Sequence, residues 1–509
     1  MFRPSTFAIA RTLSLCGLSA ALACGPKNQS TEPPRPLTAG PAPESEVEPE
    51  PAPEPPEPAR WAGDIAVPGA SMRMIVHLAP GDDGTWEGTV DLPQSGLKDF
   101  PLRDVEVTDG GFDGVLAPPG APEDRWAFIA IEHEPGGDQA AGTFEQAGQS
   151  FPVNLKRLAP GDTYSAPRPQ TPVEPYPYST RELELARDDV TLACTMVVPN
   201  GDAVYPAVAL LSGSGAQNRD AELFEHRLFL VLADHLARSS IASIRCDDRG
   251  VGGSTGSYIE TTQEELTEDA LAMVLALAGD ARINPKAIGI LGHSEGGMLA
   301  PMAAAREPKS VAFIVLLSAP ALPGATILER QSRDLGAAAG KDPESLDREA
   351  AAHSAVIKAI KEGASRDELS ERLLTLIDLQ VAGRGIDEAT KDAMSHQALG
   401  QMTSPWFTSF VKSDPQPALR KLKKTAVLAL AGELDLQVRA DENLEGVEKA
   451  LKRARNKDVT TRAFPGLNHL LQPALTGTVE EYATIETTIS PEVLGLVSAW
   501  IGERFAPSK

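Results

Sequence analysis

The chain has 509 residues, and its 47 Lys and Arg stand against 71 Asp and Glu, which gives a formal net charge of −24. This acidic balance argues against nucleic acid as the main partner, because phosphate binding needs a basic surface. Four cysteines in so long a chain exclude a disulfide-stapled scaffold, and the lack of a second long apolar run excludes a multi-pass membrane protein. The length predicts two to four domains.

The N-terminus has the pattern of a targeting segment. Arg3 and Arg11 accompany a short apolar run, which is typical of a secretory signal peptide over residues 1–23. The run ends in small residues around Cys24 and resembles a bacterial lipobox, although Ala21 stands where Leu is usual. We therefore expect Cys24 to be lipidated. An ordinary signal peptide cut near the same place is the alternative.

Residues 24–60 are predicted to be an extended spacer that follows the anchor. The stretch 31–60 contains eleven Pro and seven Glu, so it cannot bury enough apolar surface to fold. Such a spacer would hold an exported body off a bacterial membrane, at the cell envelope. After lipidation, Cys194 and Cys246 would remain as thiols, and their apolar surroundings predict that both are buried and inert.

Residues 61–158 are predicted to form a small all-β domain. Six short alternating stretches recur there at roughly ten-residue spacing, separated by Gly, Pro and Asp clusters, as in a sandwich or barrel. No cluster of His, Cys or carboxylates stands out, so we expect a binding or spacing role rather than catalysis. The Pro-rich stretch 159–180 is predicted to be a linker.

The rest of the chain, 181–509, is predicted to be an α/β domain. Apolar strand-like runs alternate with helical segments, which indicates a mostly parallel sheet covered by helices on both faces. The alternation stops at about 325–420, where amphipathic helical patterns occur without any strand-like run. We expect this insertion to form a helical cap over the strand ends.

Two segments match the pattern GxSxG, and their surroundings differ. Ser294, in GHSEG, directly follows the strand-like run 288–291 and precedes a helix-forming run. That is the context of a nucleophile elbow, a tight turn that lifts a serine above the sheet. Ser254, in GGSTG, lies about seven residues past its strand in a Gly-rich loop. The sequence therefore predicts Ser294 as a nucleophile and Ser254 as a turn residue.

A nucleophilic serine needs a base and a group that orients the base. His469 lies in the loop just past the last predicted strand, and Asp435 follows the strand before it. Catalytic residues of open parallel sheets collect at the carboxyl ends of the strands. We therefore predict Asp435 and His469 as partners of Ser294, with Glu433 as the competing acid. The order Ser, Asp, His is that of α/β-hydrolases.

The predicted chemistry also needs an oxyanion hole, a pair of N–H donors for the charge that develops on the carbonyl oxygen. One donor is expected from the backbone of Glu295, the residue after the nucleophile. The other is expected from the glycine-containing loop 211–220, where we assign the N–H of Ser214 and keep Gly215 as the alternative.

Six blocks in order resemble the α/β-hydrolase superfamily over about 181–509, closest to bacterial esterases of the dienelactone-hydrolase and acetyl-esterase type. They are SGSGAQNRD at 212–220, DDRGVGGSTG at 247–256, GHSEGG at 292–297, SPWF at 404–407, GELDLQV at 432–438 and GLNHLLQPA at 466–474. The region 61–158 is similar to an accessory domain that precedes some of these hydrolases. One departure is Ser212, where many members carry His.

The resemblance implies a serine hydrolase that cleaves a small carboxylic ester through an acyl-enzyme and needs neither a metal nor an organic cofactor. Three alternatives remain at this point. One is a serine peptidase of the prolyl-oligopeptidase kind, although 61–158 is too short for its usual propeller. The second is a thioesterase or acyltransferase. The third is an anchored binding protein without turnover. The sequence leaves the oligomeric state open.

The cap is expected to contribute to the substrate pocket through Trp406. The predicted insertion ends in Ser404-Pro405-Trp406-Phe407, with two large aromatic side chains after a proline. Aromatic side chains suit either a core or a pocket wall, because they bury much area with little rotamer freedom. We expect Phe407 to belong to the core and Trp406 to face the acyl chain of the substrate.

Overall fold

The structure is a computed structural model that describes residues 58–67, 70–81, 85–92, 97–117, 126–146, 149–159, 162, 168–187, 189–382 and 387–507. The predicted signal peptide, Cys24 and nearly all of the spacer lie outside the described residues. The described chain forms two compact units, one up to residue 162 and one from residue 168. No helix in these ranges is long and apolar enough to cross a membrane.

The first unit is a closed antiparallel barrel. Its strands follow one another around the barrel, and β1 pairs with β8 to close it. They are Ala59–Val67 (β1), Ala70–Pro80 (β2), Trp86–Leu92 (β3), Leu97–Thr108 (β4), Gly111–Leu116 (β5), Ala127–His133 (β6), Gln139–Gln146 (β7) and Gln149–Arg157 (β8). The sequence pattern gave no sign of β1 or β5. Side chains such as Trp61, Phe112 and Phe144 are buried inside, so the barrel has a packed core.

The second unit is built on an eight-stranded, mostly parallel sheet with the order β18-β17-β16-β15-β11-β14-β10-β9. Its strands are Tyr178–Arg187 (β9), Val190–Pro199 (β10), Tyr205–Leu211 (β11), Ala242–Cys246 (β14), Ile283–His293 (β15), Phe313–Leu317 (β16), Ala426–Gly432 (β17) and Val459–Phe464 (β18). A two-stranded ribbon, Glu222–Leu223 (β12) and His226–Arg227 (β13), lies outside this sheet. The α/β fold class is confirmed.

Helices cover both faces of the sheet. They are Leu228–Arg238 (α1), Gln263–Ala278 (α2), Glu295–Arg306 (α3), Ala440–Ala454 (α10) and Pro491–Arg504 (α11). Central strands such as β16, with the sequence FIVLL, are buried along their whole length because each face packs on an apolar helix side. Two separate apolar cores result, one on each face of the sheet.

Further helices occupy the chain between β16 and β17. They are Gly324–Ala338 (α4), Pro343–Glu362 (α5), Arg366–Val381 (α6), Glu388–Met402 (α7), Pro405–Lys412 (α8) and Gln416–Leu419 (α9). Several begin at an N-cap side chain that accepts a backbone N–H of the first turn, as Asp342, Ser365 and Ser404 do. Local capping thus defines where these helices begin, in a segment without any strand among its described residues.

The prediction of free thiols at Cys194 and Cys246 is wrong. These residues lie directly opposite each other on the antiparallel strands β10 and β14, and they form a disulfide with a Cα–Cα distance of 3.9 Å. Cys194 is buried, as the apolar surroundings predicted, whereas Cys246 is only partly buried. The sequence pattern could not reveal the register that pairs them. The bond lies next to the loop that begins with Asp247 and Asp248.

Candidate active site

Ser294 occupies a tight turn between β15 and α3. Its backbone has φ 52° and ψ −119°, in the positive-φ region that non-glycine residues rarely adopt. A Cβ at Gly296 would lie 2.2 Å from the carbonyl oxygen of Leu211, and one at Gly292 would lie 2.1 Å from that of Gly296. Only glycine therefore allows the turn to pack against β11, which raises Ser294 at the carboxyl end of the sheet.

His469 and Asp435 meet beside this turn. The Nδ1–H of His469 donates to Asp435 Oδ2 at 2.8 Å, and both side chains are almost fully buried. The other carboxylate oxygen accepts the backbone N–H groups of Gln437 and Val438 at 2.9 and 2.8 Å. Asp435 is thereby fixed as the partner of Nδ1, which leaves Nε2 of His469 for a second partner. Glu433, the competing acid, is exposed.

The elbow and the histidine loop are joined through His293. Its Nε2–H donates to the backbone carbonyl of His469 at 3.0 Å, and the two imidazole rings lie 4.9 Å apart. Burial lowers the pKa of His293 to about 3, so this side chain is neutral at neutral pH. The Ser294 hydroxyl has no hydrogen-bond partner among the described residues, including His469. Catalytic hydrogen bonds often form only when substrate is bound.

The loop after β11 places an unpaired amide at the same end of the sheet. Among the described residues, the backbone N–H groups of Ser214 and Glu295 have no hydrogen-bond partner. The amides that follow each of them are committed: Gly215 donates to the Tyr258 hydroxyl at 3.1 Å, and Gly296 donates to the carbonyl of Ser212 at 2.9 Å. The geometry therefore favours Ser214 over Gly215 as the second donor.

Two aspartates, Asp247 and Asp248, hold this loop in place. Asp248 accepts the N–H of Gln217 at 2.8 Å and the hydroxyl of Ser212 at 3.2 Å, and burial raises its pKa well above the usual value. Asp247 accepts the N–H of Arg219 at 2.8 Å and also forms an ion pair with its guanidinium. Ser212, which replaces the usual His, thus helps to anchor the loop.

A small cavity lies over Ser294. Its apolar lining is Pro320, Ile327, Leu328, Trp406, Phe410 and Val438, and its polar lining is Ser214, Ser294, Glu295, Gln331 and Gln437. Five of these residues belong to α4 and α8, so the helices inserted between β16 and β17 line the space above the nucleophile candidate. The structure brings Trp406 to this cavity, whereas Phe407 is fully buried in the core.

The Glu295 side chain has contacts that the sequence motif did not predict. Only its backbone N–H was expected to matter, yet the carboxylate is buried at 2% exposure and accepts hydrogen bonds from Tyr258, Gln263 and Trp406. A charged residue at a position that the motif places in the core was the signal that could have revealed it.

The barrel also contains a His–Asp cluster that the sequence pattern did not predict. His77, Asp91 and Asp99 each bring one potential metal-ligating atom within 4.8 Å of the others. Both carboxylate oxygens of Asp91 already have partners, because Oδ2 contacts His77 at 3.1 Å and Oδ1 accepts the N–H of Asp99 at 2.6 Å. The cluster is therefore explained by its own hydrogen bonds.

Comparisons with known proteins agree with this topology. Residues 225–352 match the family described as serine aminopeptidase, S33. Esterase EstD of Thermotoga maritima is 30% identical over 140 residues, which are 28% of this chain and 33% of that esterase. The match therefore spans about a third of the relative's length. The sheet order, the elbow and these matches define the second unit as an α/β-hydrolase fold.

Solved structures with low sequence identity were also found. The α/β hydrolase GrgF of Penicillium is 16% identical, with a TM-score of 0.42 over 64% of this chain and 99% of that chain. An esterase of Pyrococcus furiosus is 15% identical, with a TM-score of 0.39 over 67% of this chain and 99% of that chain.

Proposed function

We propose that this protein is a serine esterase that cleaves small, uncharged carboxylic esters through an acyl-enzyme. The observation that carries the proposal is the joint position of an elbow serine, a His–Asp pair and two unpaired backbone amides at one end of the sheet, beside a cavity. Each requirement of acyl transfer has a candidate group there.

The mechanism follows from the atoms that these groups present. Ser294 Oγ attacks the ester carbonyl while His469 Nε2 takes the hydroxyl proton, and the ionised Asp435 holds Nδ1–H and stabilises the imidazolium. The N–H groups of Ser214 and Glu295 stabilise the oxyanion. His469 then donates the proton to the leaving alcohol, which leaves an acyl-Ser294 ester. Water, deprotonated by His469, releases the acid and restores the serine.

The cavity lining favours uncharged substrates. Glu295 is the one ionisable side chain among the described lining residues, and its carboxylate already accepts hydrogen bonds from three donors. The lining therefore offers neither a cation for an acidic substrate nor a free carboxylate for the α-ammonium group of a peptide. This composition favours an esterase over the aminopeptidase activity that the matched family's description names.

A polar pair in the cavity gives the substrate site an orientation. Gln331 Nε2 donates to Gln437 Oε1 at 3.2 Å, and Gln437 Nε2 donates to the Tyr482 hydroxyl at 2.9 Å. Gln331 Oε1 has no partner among the described residues. We assign it as an acceptor for a hydroxyl or N–H of the substrate. The helices α4 and α8 would act as the cap that encloses the apolar remainder of the substrate.

A substrate panel tests the proposed function. The purified protein should hydrolyse p-nitrophenyl acetate and butyrate, and it should hydrolyse alanine and proline p-nitroanilides at least about 100-fold less efficiently in kcat/KM, because no free carboxylate binds their α-ammonium group. Preference for the anilides would instead assign a peptidase. Absence of turnover on both classes, together with failure of Ser294 to react with a fluorophosphonate, would assign a silent binding protein.

The proposed location is a lipid anchor on the cell envelope. It rests on the apolar run that ends at Cys24 and on the Pro- and Glu-rich spacer behind it. A Cys24→Ser variant should move from the membrane fraction to the soluble fraction. Mass spectrometry of the mature wild-type protein should find an acylated N-terminal Cys24. An unmodified N-terminus at another residue would contradict this location.

A further inference from the structure

The Glu295 carboxylate is the centre of a buried hydrogen-bond cluster directly behind the nucleophile. Its Oε2 accepts the Tyr258 hydroxyl at 2.5 Å, and its Oε1 accepts the indole N–H of Trp406 at 2.8 Å as well as Gln263 Nε2. The three donors come from three segments: the loop before α2, the first residue of α2, and helix α8. The cluster thus joins segments that are far apart in the chain.

The same cluster reaches the loop that carries the second oxyanion donor. The Tyr258 hydroxyl donates to Glu295 and accepts the N–H of Gly215 at 3.1 Å, so its hydrogen-bond directions are fixed. Gly215 directly follows Ser214, which lines the cavity and whose N–H has no partner in the described part of the chain. One hydroxyl therefore links the elbow to the oxyanion loop, so Glu295, together with the two aspartates that anchor the loop, helps to set the position of the Ser214 amide.

Helix α8 is joined to this cluster at two points. Besides the indole bond to Glu295, the backbone N–H of Trp406 donates to the carbonyl of Ile259 at 3.1 Å, next to Tyr258. The rings of Tyr258 and Trp406 lie 5.5 Å apart. The wall of the cavity and the oxyanion loop therefore depend on the same carboxylate.

The direction in which the charge of Glu295 affects the reaction rate can be tested. Burial raises the pKa of this carboxyl, and the three donors oppose that effect. Tyr258, Gln263 and Trp406 are all placed as donors to it, an arrangement that fits the ionised form. A negative charge beside an oxyanion hole opposes the charge that develops there. Any favourable contribution of Glu295 to the reaction rate must therefore come from the positions that it imposes on its neighbours rather than from its electrostatic field.

We propose that Glu295 is a positioning residue. Through Tyr258 and α8, it fixes the positions of the two oxyanion amides relative to the Trp406 side chain in the cavity wall. The inference rests on the proposed esterase function and extends it to a residue that does not touch the reacting atoms through its side chain. It predicts that removing the acceptor lowers the rate even though removing the charge, taken alone, would raise it.

The test replaces Glu295 by Gln, which keeps the shape but turns one acceptor into a donor. With p-nitrophenyl acetate, kcat should fall about 10–100-fold while KM changes less than about 3-fold, since misplaced donors weaken binding of the transition state only. Affinity for a trifluoromethyl ketone, which forms a tetrahedral adduct, should fall in parallel with kcat/KM. Tyr258→Phe should have an effect of similar size.

A double variant that combines Glu295→Gln with Tyr258→Phe tests whether the two residues act as one linked unit or affect the rate separately. If Glu295 acts through Tyr258, the double variant should lose little more than the poorer single variant, whereas independent effects would multiply. Asn456→Ala is the matched control, because it removes three part-buried hydrogen bonds, to the carbonyls of Leu422 and Thr425 and from the N–H of Asp458, at the opposite end of β17. It should lower stability and leave kcat and the ketone affinity unchanged.

Three outcomes would overturn the positioning role. They are an unchanged or increased kcat in Glu295→Gln, multiplicative losses in the double variant, and a loss in the Asn456→Ala control that matches the loss in Glu295→Gln. A wild-type protein that does not hydrolyse the ester, or a Ser294→Ala variant that still does, would instead contradict the proposed function. These results are distinguishable because the first group requires an active wild-type enzyme.

Discussion

The two GxSxG segments have the same sequence pattern and opposite environments. The Ser254 hydroxyl donates to the carbonyl of Asp247 at 2.8 Å and accepts the N–H of Ala193 at 2.9 Å, so both of its hydrogen-bonding roles are used within the fold. The Ser294 hydroxyl lies on a cavity wall without a partner among the described residues. Ser254 therefore holds a loop together, whereas Ser294 is available to a ligand.

The residues around each GxSxG segment therefore determine its role. Around Ser254, the Asp247 carboxylate accepts the N–H of Gly253 and pairs with Arg219, so the loop is a closed structural unit. Around Ser294, a strained turn, a His–Asp pair and unpaired amides are grouped at strand ends. Strain and unpaired donors persist where function requires them.

The largest expected difference between the two segments appears when each serine is replaced by alanine. Ser294→Ala should reduce kcat on p-nitrophenyl acetate by about 10⁴-fold or more, because the nucleophile is lost. Ser254→Ala should keep kcat within about 3-fold but lower the free energy of unfolding by about 1–3 kcal/mol, because two buried groups lose their partner. Steady-state kinetics and urea unfolding measure both quantities. The reversed pattern would refute the assignment.

The second prediction concerns the cavity wall above Ser294. Trp406→Ala should change the preference between acetyl and longer acyl esters by roughly 10–200-fold in kcat/KM, since a pocket contact is worth about 1–3 kcal/mol. Trp406→Phe is the control: it keeps an aromatic ring in the cavity wall and removes the indole N–H that donates to Glu295. Kinetics on a chain-length series distinguish the two. A lower melting temperature with an unchanged chain-length profile would make Trp406 a core residue alone.

Strand-end motifs were the part of the site that the sequence could predict. Ser294, Asp435 and His469 each follow an apolar run, and parallel strands bring such positions together. The Glu295 cluster could not be predicted, because its donors lie 32, 37 and 111 residues away and meet only through tertiary packing. The cross-strand disulfide was missed for the same reason, since it depends on strand register.

The smallest expected effect is a difference in acid sensitivity between the two segments. Burial lowers the pKa of His293 to about 3 from 6.5, so the unfolded chain binds a proton between pH 7 and pH 5 that the folded chain excludes. This costs about 2 kcal/mol of stability at pH 5, roughly 25-fold in the folding equilibrium. In the Ser254 segment, burial raises the pKa of Asp247, but Arg219 and backbone N–H groups lower it more. The stabilisation that ionised Asp247 gives the folded protein is therefore lost only below about pH 4.

A His293→Gln variant isolates that contribution. Its free energy of unfolding should change about 2 kcal/mol less between pH 7 and pH 5 than that of the wild type, as measured by urea unfolding at the two pH values. Buried His226, with a pKa lowered to about 4, adds an acid sensitivity that both proteins share. Equal pH dependence in the variant and the wild type would show that His293 does not stay neutral in the folded protein.

The most direct test of the account is the site of reaction with a fluorophosphonate, which labels only an activated serine. We predict one adduct per chain, located at Ser294 by mass spectrometry of the peptide that contains it. Labelling should persist in Ser254→Ala and disappear in Ser294→Ala. An adduct at Ser254 or at any other serine, or no adduct in a folded protein, would contradict the claim that Ser294 is the nucleophile.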